Sequence, residues 1–405
     1  MCSAKHRWAV GIVIFALLCG STGAHAQQLP AATIDTSRQA PPPADSTRPF
    51  GGVRRTFSKV FNHYFNDSGV AGAPKLLLYP TVAFSPETSW EVGFSSVLLY
   101  YARRDTTNRL SEISGFTFYT LRQQYGAWFD HFLYSHQDRW FFLGRLRFQR
   151  FPLKYFGIGP ESQEANKQTI NANYVLIRER VLRKVRGNFF VGLETDFQLA
   201  SRVSIDTGNG VLPPPTGARG SRTVGLGLGL VYDSRRNPLN VRRGLFAELS
   251  HLRYGPGIGS QYSFHSVSAD VRYFKTMAKN QVLAGQVYGQ FLAGEVPFNQ
   301  LALLGGESLM RGYYFGRFRD KNMLVAQAEY RFLPFPFSKR LGGAVFASLG
   351  TVAPRPGAFS LQQVLPAGGL GLRFLVFPKK DIFARLDLAF TREGVNFYIF
   401  TGEAF

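Results

Sequence analysis

The chain has 405 residues, 45% of them hydrophobic and 15% aromatic, with a formal net charge of +21. Its two cysteines, Cys2 and Cys19, both lie near the N-terminus, which excludes a disulfide framework or a cysteine metal centre from the rest of the chain. Beyond residue 26 no apolar run approaches the roughly 18 to 20 residues of a spanning helix, which excludes a helical membrane protein.

The first element is an export signal over residues 1–26. Lys5 and Arg7 give a positive start, Trp8 to Cys19 an apolar stretch, and Ala24-His25-Ala26 a small-x-small cleavage site, so the mature chain is expected to begin at Gln27. A lipid-modified Cys19 is the poorer alternative, because bulky Leu18 precedes it. Residues 27–73 follow as a linker region. Gln27 to Pro49 is rich in Pro, Ala, Ser and Thr and reads as disordered. Over residues 51–66, Val53, Phe57, Val60, Phe61, Tyr64 and Phe65 share one helical face against Arg54, Arg55 and Lys59. That spacing predicts a short amphipathic helix, lying at the inner leaflet surface or tucked into a barrel mouth, with disorder of the segment as the third reading.

From residue 74 onward the period changes from 3.6 to 2. Val224, Leu226, Leu228, Leu230 and Tyr232 oppose Gly225, Gly227 and Gly229; Val267, Ala269, Val271 and Tyr273 oppose Ser266, Ser268, Asp270 and Arg272. Leu324, Ala326, Ala328, Tyr330 and Phe332 oppose Gln327, Glu329 and Arg331; Ile382, Ala384, Leu386, Leu388 and Phe390 oppose Arg385 and Asp387. One apolar face and one small or charged face, strand after strand, suit lipid on one side and a wet lumen on the other. The abundance of Gly, Phe and Tyr fits the same picture.

The predicted fold is all-β, a transmembrane antiparallel β-barrel of about sixteen strands over residues 74–405. Turn signals place the strands near 74–84, 89–102, 112–122, 126–135, 139–151, 168–182, 187–203, 223–233, 244–254, 262–276, 280–292, 322–332, 341–350, 367–377, 382–391 and 395–405. Between the eleventh and twelfth runs lies the longest connection, 293–321. It contains GGESLMRGYYFG, with Gly305 and Gly306 leading to Arg311-Gly312-Tyr313.

That tripeptide, at that place, resembles the conserved-loop tip of the BamA/TamA (bacterial surface antigen) superfamily of outer-membrane proteins. Tyr232-Asp233-Ser234-Arg235-Arg236-Asn237-Pro238 with Gly244 resembles the family's strand-to-turn motif, and residues 367–390 its penultimate hairpin. Phe405 fits the aromatic end residue used as an assembly signal, although Gly402 departs from the usual glycine position. Residues 27–73 are too few for a POTRA domain, so the resemblance is to a barrel-only member.

The resemblance implies that the loop folds into the lumen and that acids on the inner wall hold Arg311. A guanidinium suits that role because it stays charged and grips carboxylates bidentately. Glu329 matches the family's acid on the twelfth strand. The second family acid corresponds to Ser348, leaving Asp387 or Asp270 to supply the charge. Its implied partners are outer-membrane lipids, client outer-membrane proteins and the barrel assembly machinery, at the bacterial outer membrane.

The basic balance favours anionic lipid headgroups, while an exported barrel does not meet nucleic acid. No motif for a hydrolase elbow, zinc helix, P-loop or calcium loop is present, so neither catalysis nor a metal or other cofactor is expected. His265 and Ser268, three apart on one strand, point to opposite faces. Two readings of function remain: insertion or translocation of proteins or lipids through a lateral seam and the lumen loop, or a passive pore or structural surface protein.

Overall fold

The computed structural model describes residues 72–207, 212–235, 240–378 and 381–405. The expected signal, linker and amphipathic helix therefore lie outside the described residues. Strands follow in the order β1 (Lys75–Ser85), β2 (Ser89–Tyr101), β3 (Leu110–Thr120), β4 (Tyr125–Tyr134), β5 (Trp140–Arg150), β6 (Leu153–Tyr155), β7 (Gln168–Arg186) and β8 (Phe189–Asp206). Then come β9 (Ser221–Asp233), β10 (Gly244–Tyr254), β11 (Phe264–Ala278), β12 (Gln281–Gly294), β13 (Ala302–Leu304) and β14 (Phe318–Asp320). The last five are β15 (Asn322–Phe332), β16 (Leu341–Ala353), β17 (Leu365–Phe377), β18 (Ile382–Thr391) and β19 (Gly394–Thr401).

Sixteen of these form one closed antiparallel wall, each strand paired with its sequence neighbours and β19 returning to β1. The other three are short. β6 continues the line of β5 along β7 after a break at Phe151-Pro152, where proline removes a ladder donor. β13 and β14 pair only with each other, inside the long connection between β12 and β15.

Alternation sets the two faces of the wall. Leu226, Leu228, Val287 and Leu372 are exposed on the outside, where lipid takes the place of water, while Glu194, Asp270, Glu329, Arg373 and Asp387 are buried inside. The two ends of the barrel differ. At one end β7–β8 and β11–β12 turn within two residues, 187–188 and 279–280; at the other the connections 207–220, 255–263, 295–321 and 354–364 are long. Long loops mark the outer side of an outer-membrane barrel and short turns the periplasmic side.

Two differences from the sequence expectation have a physical cause. β7 extends beyond 182 because Leu182, Arg183 and Lys184 keep pairing with Gly192, Val191 and Phe190 toward the Gly187-Asn188 turn, and β8 runs to Asp206 because Ser204, Ile205 and Asp206 pair with Asn171, Ile170 and Thr169. The last strand stops at Thr401 rather than 405. The chain turns at Gly402, with φ +90°, and Glu403 is drawn to two arginines of the lumen.

The seam is the weakest ladder of the wall. Phe84↔Ile399 is the one registered pair between β1 and β19, against eleven between β1 and β2. Side chains support it where the backbone does not: Phe84 stacks on Phe397 with ring centroids 4.0 Å apart.

Candidate functional site at the lumen loop

The connection from Glu295 to Lys321 builds its own scaffold first. β13 and β14 pair Ala302 with Asp320 and Leu304 with Phe318, and so bring the ends of the tip together. Gly305 and Gly306 leave this hairpin with φ near +117° and +114°; a Cβ on Gly305 would stand 2.1 Å from the Tyr314 carbonyl oxygen. Only glycine accepts both the left-handed backbone and the contact. Leu304, Met310, Tyr313 and Phe318 then pack on Val325, Val352 and Ala367 of the inner wall, an apolar seat inside the lumen.

This seat fixes where the Arg311 head lies. Its Nη1 donates to Asp387 Oδ2 at 2.5 Å and its Nη2 donates to Glu329 Oε2, while the guanidinium lies over the Phe346 ring, 3.5 Å from the centroid. The side chain is 1% exposed. Gly312, at φ +108°, comes so close to the wall that a Cβ would meet Thr391 Cγ2 at 2.4 Å. Its N–H donates to the Tyr398 hydroxyl at 2.9 Å, and its carbonyl accepts from Asn396 Nδ2 at 2.7 Å. Tyr313 is fully buried, and its hydroxyl donates to the Pro366 carbonyl at 3.1 Å.

Each acid serves more than one cation. Glu329 also accepts from Arg331 Nε at 2.9 Å and Arg373 Nη2 at 3.0 Å; Asp387 accepts from Arg373 Nη1 at 2.6 Å and Arg385 Nη1 at 3.0 Å. Glu403 closes the network on Arg373 at 3.0 Å and Arg331 at 3.6 Å. Four arginines thus share three carboxylates. Burial of each charge is costly, and the network holds because every charge has an opposite partner at hydrogen-bond distance.

Of the two acids the sequence offered as the second partner of Arg311, Asp387 takes the position and Asp270 does not. Asp270 on β11 is saturated by Arg272 at 2.6 Å and by Gln286 Nε2 at 2.9 Å, on a different stretch of wall. Ser348 on β16 faces inward and is buried, opposite Gln327 and Ala367, but carries no charge.

The strand-to-turn motif forms a separate construction at the short-turn end. Asp233 accepts from the Arg235 backbone N–H and Nε, both at 3.0 Å, and Arg235 lies over Phe246 at 4.1 Å. Gly244, at φ +132°, passes close behind Arg235. Asn237 and Pro238 lie outside the described residues. Phe405 does not end the wall. It packs near Val241, Phe274 and Ala284, its carbonyl accepts from Arg331 at 3.0 Å, and Arg331 lies over its ring at 5.2 Å.

Several residues of the site carry no local sequence motif. Arg373, Arg331, Arg385, Tyr398 and Asn396 all touch the loop or its acids, and Glu403 touches two of those arginines. Gln327 is another, accepting from the Met310 N–H and donating to the Ser308 carbonyl. Glu87, in the β1–β2 turn, accepts the Phe315 N–H at 2.7 Å. Strand parity marks Arg331, Arg385 and Gln327 as inward; nothing local marks Glu87 or Glu403.

Comparison with known proteins agrees with this architecture. Residues 123–374 match the model of the Omp85 superfamily domain. The fold is similar to that of BamA from Haemophilus ducreyi lacking POTRA domains 1–3, with a TM-score of 0.53 and 12% identity, over 82% of this chain and 70% of that one. It is also similar to CdiB from Acinetobacter baumannii, with a TM-score of 0.53 and 11% identity, over 82% of this chain and 60% of that one. CdiB from Escherichia coli gives a TM-score of 0.50 at 12% identity, over 80% of this chain and 62% of that one. This chain thus spans less than two thirds of either CdiB. No curated protein sequence matches it. The family match covers more than half of the chain, which belongs to the Omp85 superfamily and is a bacterial outer-membrane β-barrel.

Proposed function

We propose that this barrel assists the insertion or translocation of outer-membrane proteins or lipids through the seam between β1 and β19, with the lumen loop as the part that couples to the seam. The observation that carries the reading is the position of the loop tip. Tyr398 and Asn396 of β19 hold Gly312, while Glu87, two residues beyond β1, holds Phe315. The tip therefore grips both flanks of the weakest ladder in the wall.

Separating β1 from β19 breaks one registered backbone pair and one aromatic stack, far less than opening any neighbouring ladder. Edge strands exposed in that way offer unpaired backbone groups that template the pairing of an incoming strand. Arg311, held on Glu329 and Asp387, keeps the tip in place while the seam moves. Family membership supports the same reading.

The test is a disulfide across the seam. Both cysteines of the sequence lie at positions 2 and 19, so Phe84→Cys with Ile399→Cys introduces the only pair in the wall. Oxidised cells are expected to lose a defined set of outer-membrane proteins or lipids, and reduction is expected to restore them. A passive pore predicts instead that locking leaves the membrane composition unchanged and that only small-solute permeability responds to loop variants.

A further inference from the structure

A second constellation lies on the opposite face of the wall, outside the lumen. Along β10 and β11 the outward positions are apolar for most of their length, then turn basic near the long-loop end. Leu249 faces Leu230 and Ala269, but His251 faces Leu228 and Val267, and Arg253 faces Leu226 and His265. All three polar residues are exposed. The imidazoles of His251 and His265 stack at 8° with centroids 5.6 Å apart, His265 Nδ1 lying 3.4 Å from His251 Nε2. Arg222 continues the outward row of Leu226 toward the loops and is also exposed.

A groove of about 440 Å³ opens here, lined by Leu226, Arg253, Tyr254, Ile258 and His265 among others, with no carboxylate in its lining. Arg253 makes no ion pair among the described residues. Arg253, with no ion-paired acid among the described residues, thus stands beside Leu226 and above an apolar band of Leu228, Leu249 and Val271, each more than two fifths exposed.

We propose that this groove binds the phosphate of an outer-leaflet lipid, with Arg253 and the two histidines on the headgroup and the leucine band beneath against its acyl chains. The order of the two zones matches a lipid and not a soluble anion. A strand rises about 3.3 Å per residue, so Arg253, one residue before the end of β10, stands at headgroup depth, and Leu249 lies about 13 Å deeper along the strand. The apolar band of such a barrel is about 25 Å tall, and basic side chains extend from its rim into the headgroup zone. Arginine grips phosphate through paired N–H donors, and imidazole N–H groups add further donors.

Native mass spectrometry tests the proposal on the full chain, released from nanodiscs of phosphatidylglycerol and phosphatidylcholine in equal parts. The unmodified protein is expected to retain phosphatidylglycerol selectively. Arg253→Gln with His265→Gln is expected to lower the retained fraction about tenfold, the ratio that 1.4 kcal/mol represents. Should the double variant not assemble, the Arg253→Gln single variant, whose exposed head leaves the ladder intact, carries the same expectation.

Equal retention by variant and parent overturns the proposal. So does displacement of the lipid by inorganic phosphate at equal concentration, which would make this a site for a free anion. Zinc uptake by the histidine pair with lipid retention unmoved by the Arg253 variant overturns it as well.

Discussion

Tyr398 on β19 accepts the backbone N–H of Gly312 at 2.9 Å, so the last wall strand is tied to the loop tip by a hydrogen bond that neither residue makes within its own element. Tyr398 is fully buried, and Ala389 and Phe346 pack around it. Because Gly312 follows Arg311, any shift of β19 pulls on the residue next to the charge network.

Tyr398→Phe removes the acceptor for the Gly312 N–H and keeps the ring. Leaving that buried donor unpaired is expected to cost about 1–3 kcal/mol, without changing the wall ladder. Urea unfolding in detergent measures the cost. Limited proteolysis of the 295–321 loop should show faster cutting in the variant; identical cutting rates would separate the tip from β19.

The network around Arg311 makes a sharper prediction. Arg311→Ala removes the two buried charged hydrogen bonds that join the tip to the wall, each worth about 1.5–3 kcal/mol, so the variant is expected to cost on the order of 3–6 kcal/mol. Glu329→Gln should be costly too, because Arg331 and Arg373 lose the same carboxylate. Residues in one network are not additive, and the double variant is expected to recover about 0.5–3 kcal/mol of the summed losses. Additive losses in the double-mutant cycle would refute the coupling.

Alternation alone carried the wall and one half of the lock. The run Leu324 to Phe332 has a single two-faced reading, and its period by itself turns Glu329 and Arg331 inward. The choice between Asp387 and Asp270 could not be made that way. Both are inward acids on two-faced strands, and what separates them is which stretch of lumen the loop tip reaches, a long-range property of the closed barrel. Tyr398 was hidden for another reason. In VNFYIF the inward face carries Asn396, Tyr398 and Phe400 and the outward face Val395, Phe397 and Ile399, so aromatic rings stand on both faces and the contrast of period 2 is weak. Arg373 is similarly masked within the run Leu372 to Phe377. Pro152 and the β6 continuation show the same limit, since a proline that breaks the strand locally leaves β6 paired along the same following strand, β7, as β5.

Glu403 offers a test of the segment that leaves the wall. Its carboxylate bonds Arg373 Nε at 3.0 Å and stands 3.6 Å from Arg331. Glu403→Gln keeps the size and removes the charge, leaving four arginines on two acids. A loss of about 1.5–3 kcal/mol is expected, the range for hydrogen bonds to charged groups. Glu403→Asp should recover part of it, and equal stability of both variants would show that the ion pairs contribute nothing.

Glu87 predicts how the loop responds to pH. Burial, followed by the nearby charge of Glu307, pushes its carboxyl up from 4.5 to about 7, and the Phe315 N–H opposes the shift without cancelling it. The sign follows from proton binding. Between pH 4.5 and 7 the native state holds a proton that the unfolded chain has released, so native stability falls as pH rises through that window and levels off above it. A shift of this size corresponds to about 3 kcal/mol. Glu87→Gln keeps an oxygen that can accept the Phe315 N–H but does not titrate. Urea unfolding of the full chain from about pH 4.5 to 8 is therefore expected to slope downward for the parent and to lose most of that slope in the variant. An unchanged slope in Glu87→Gln would remove Glu87 as the pH-sensitive grip on the loop.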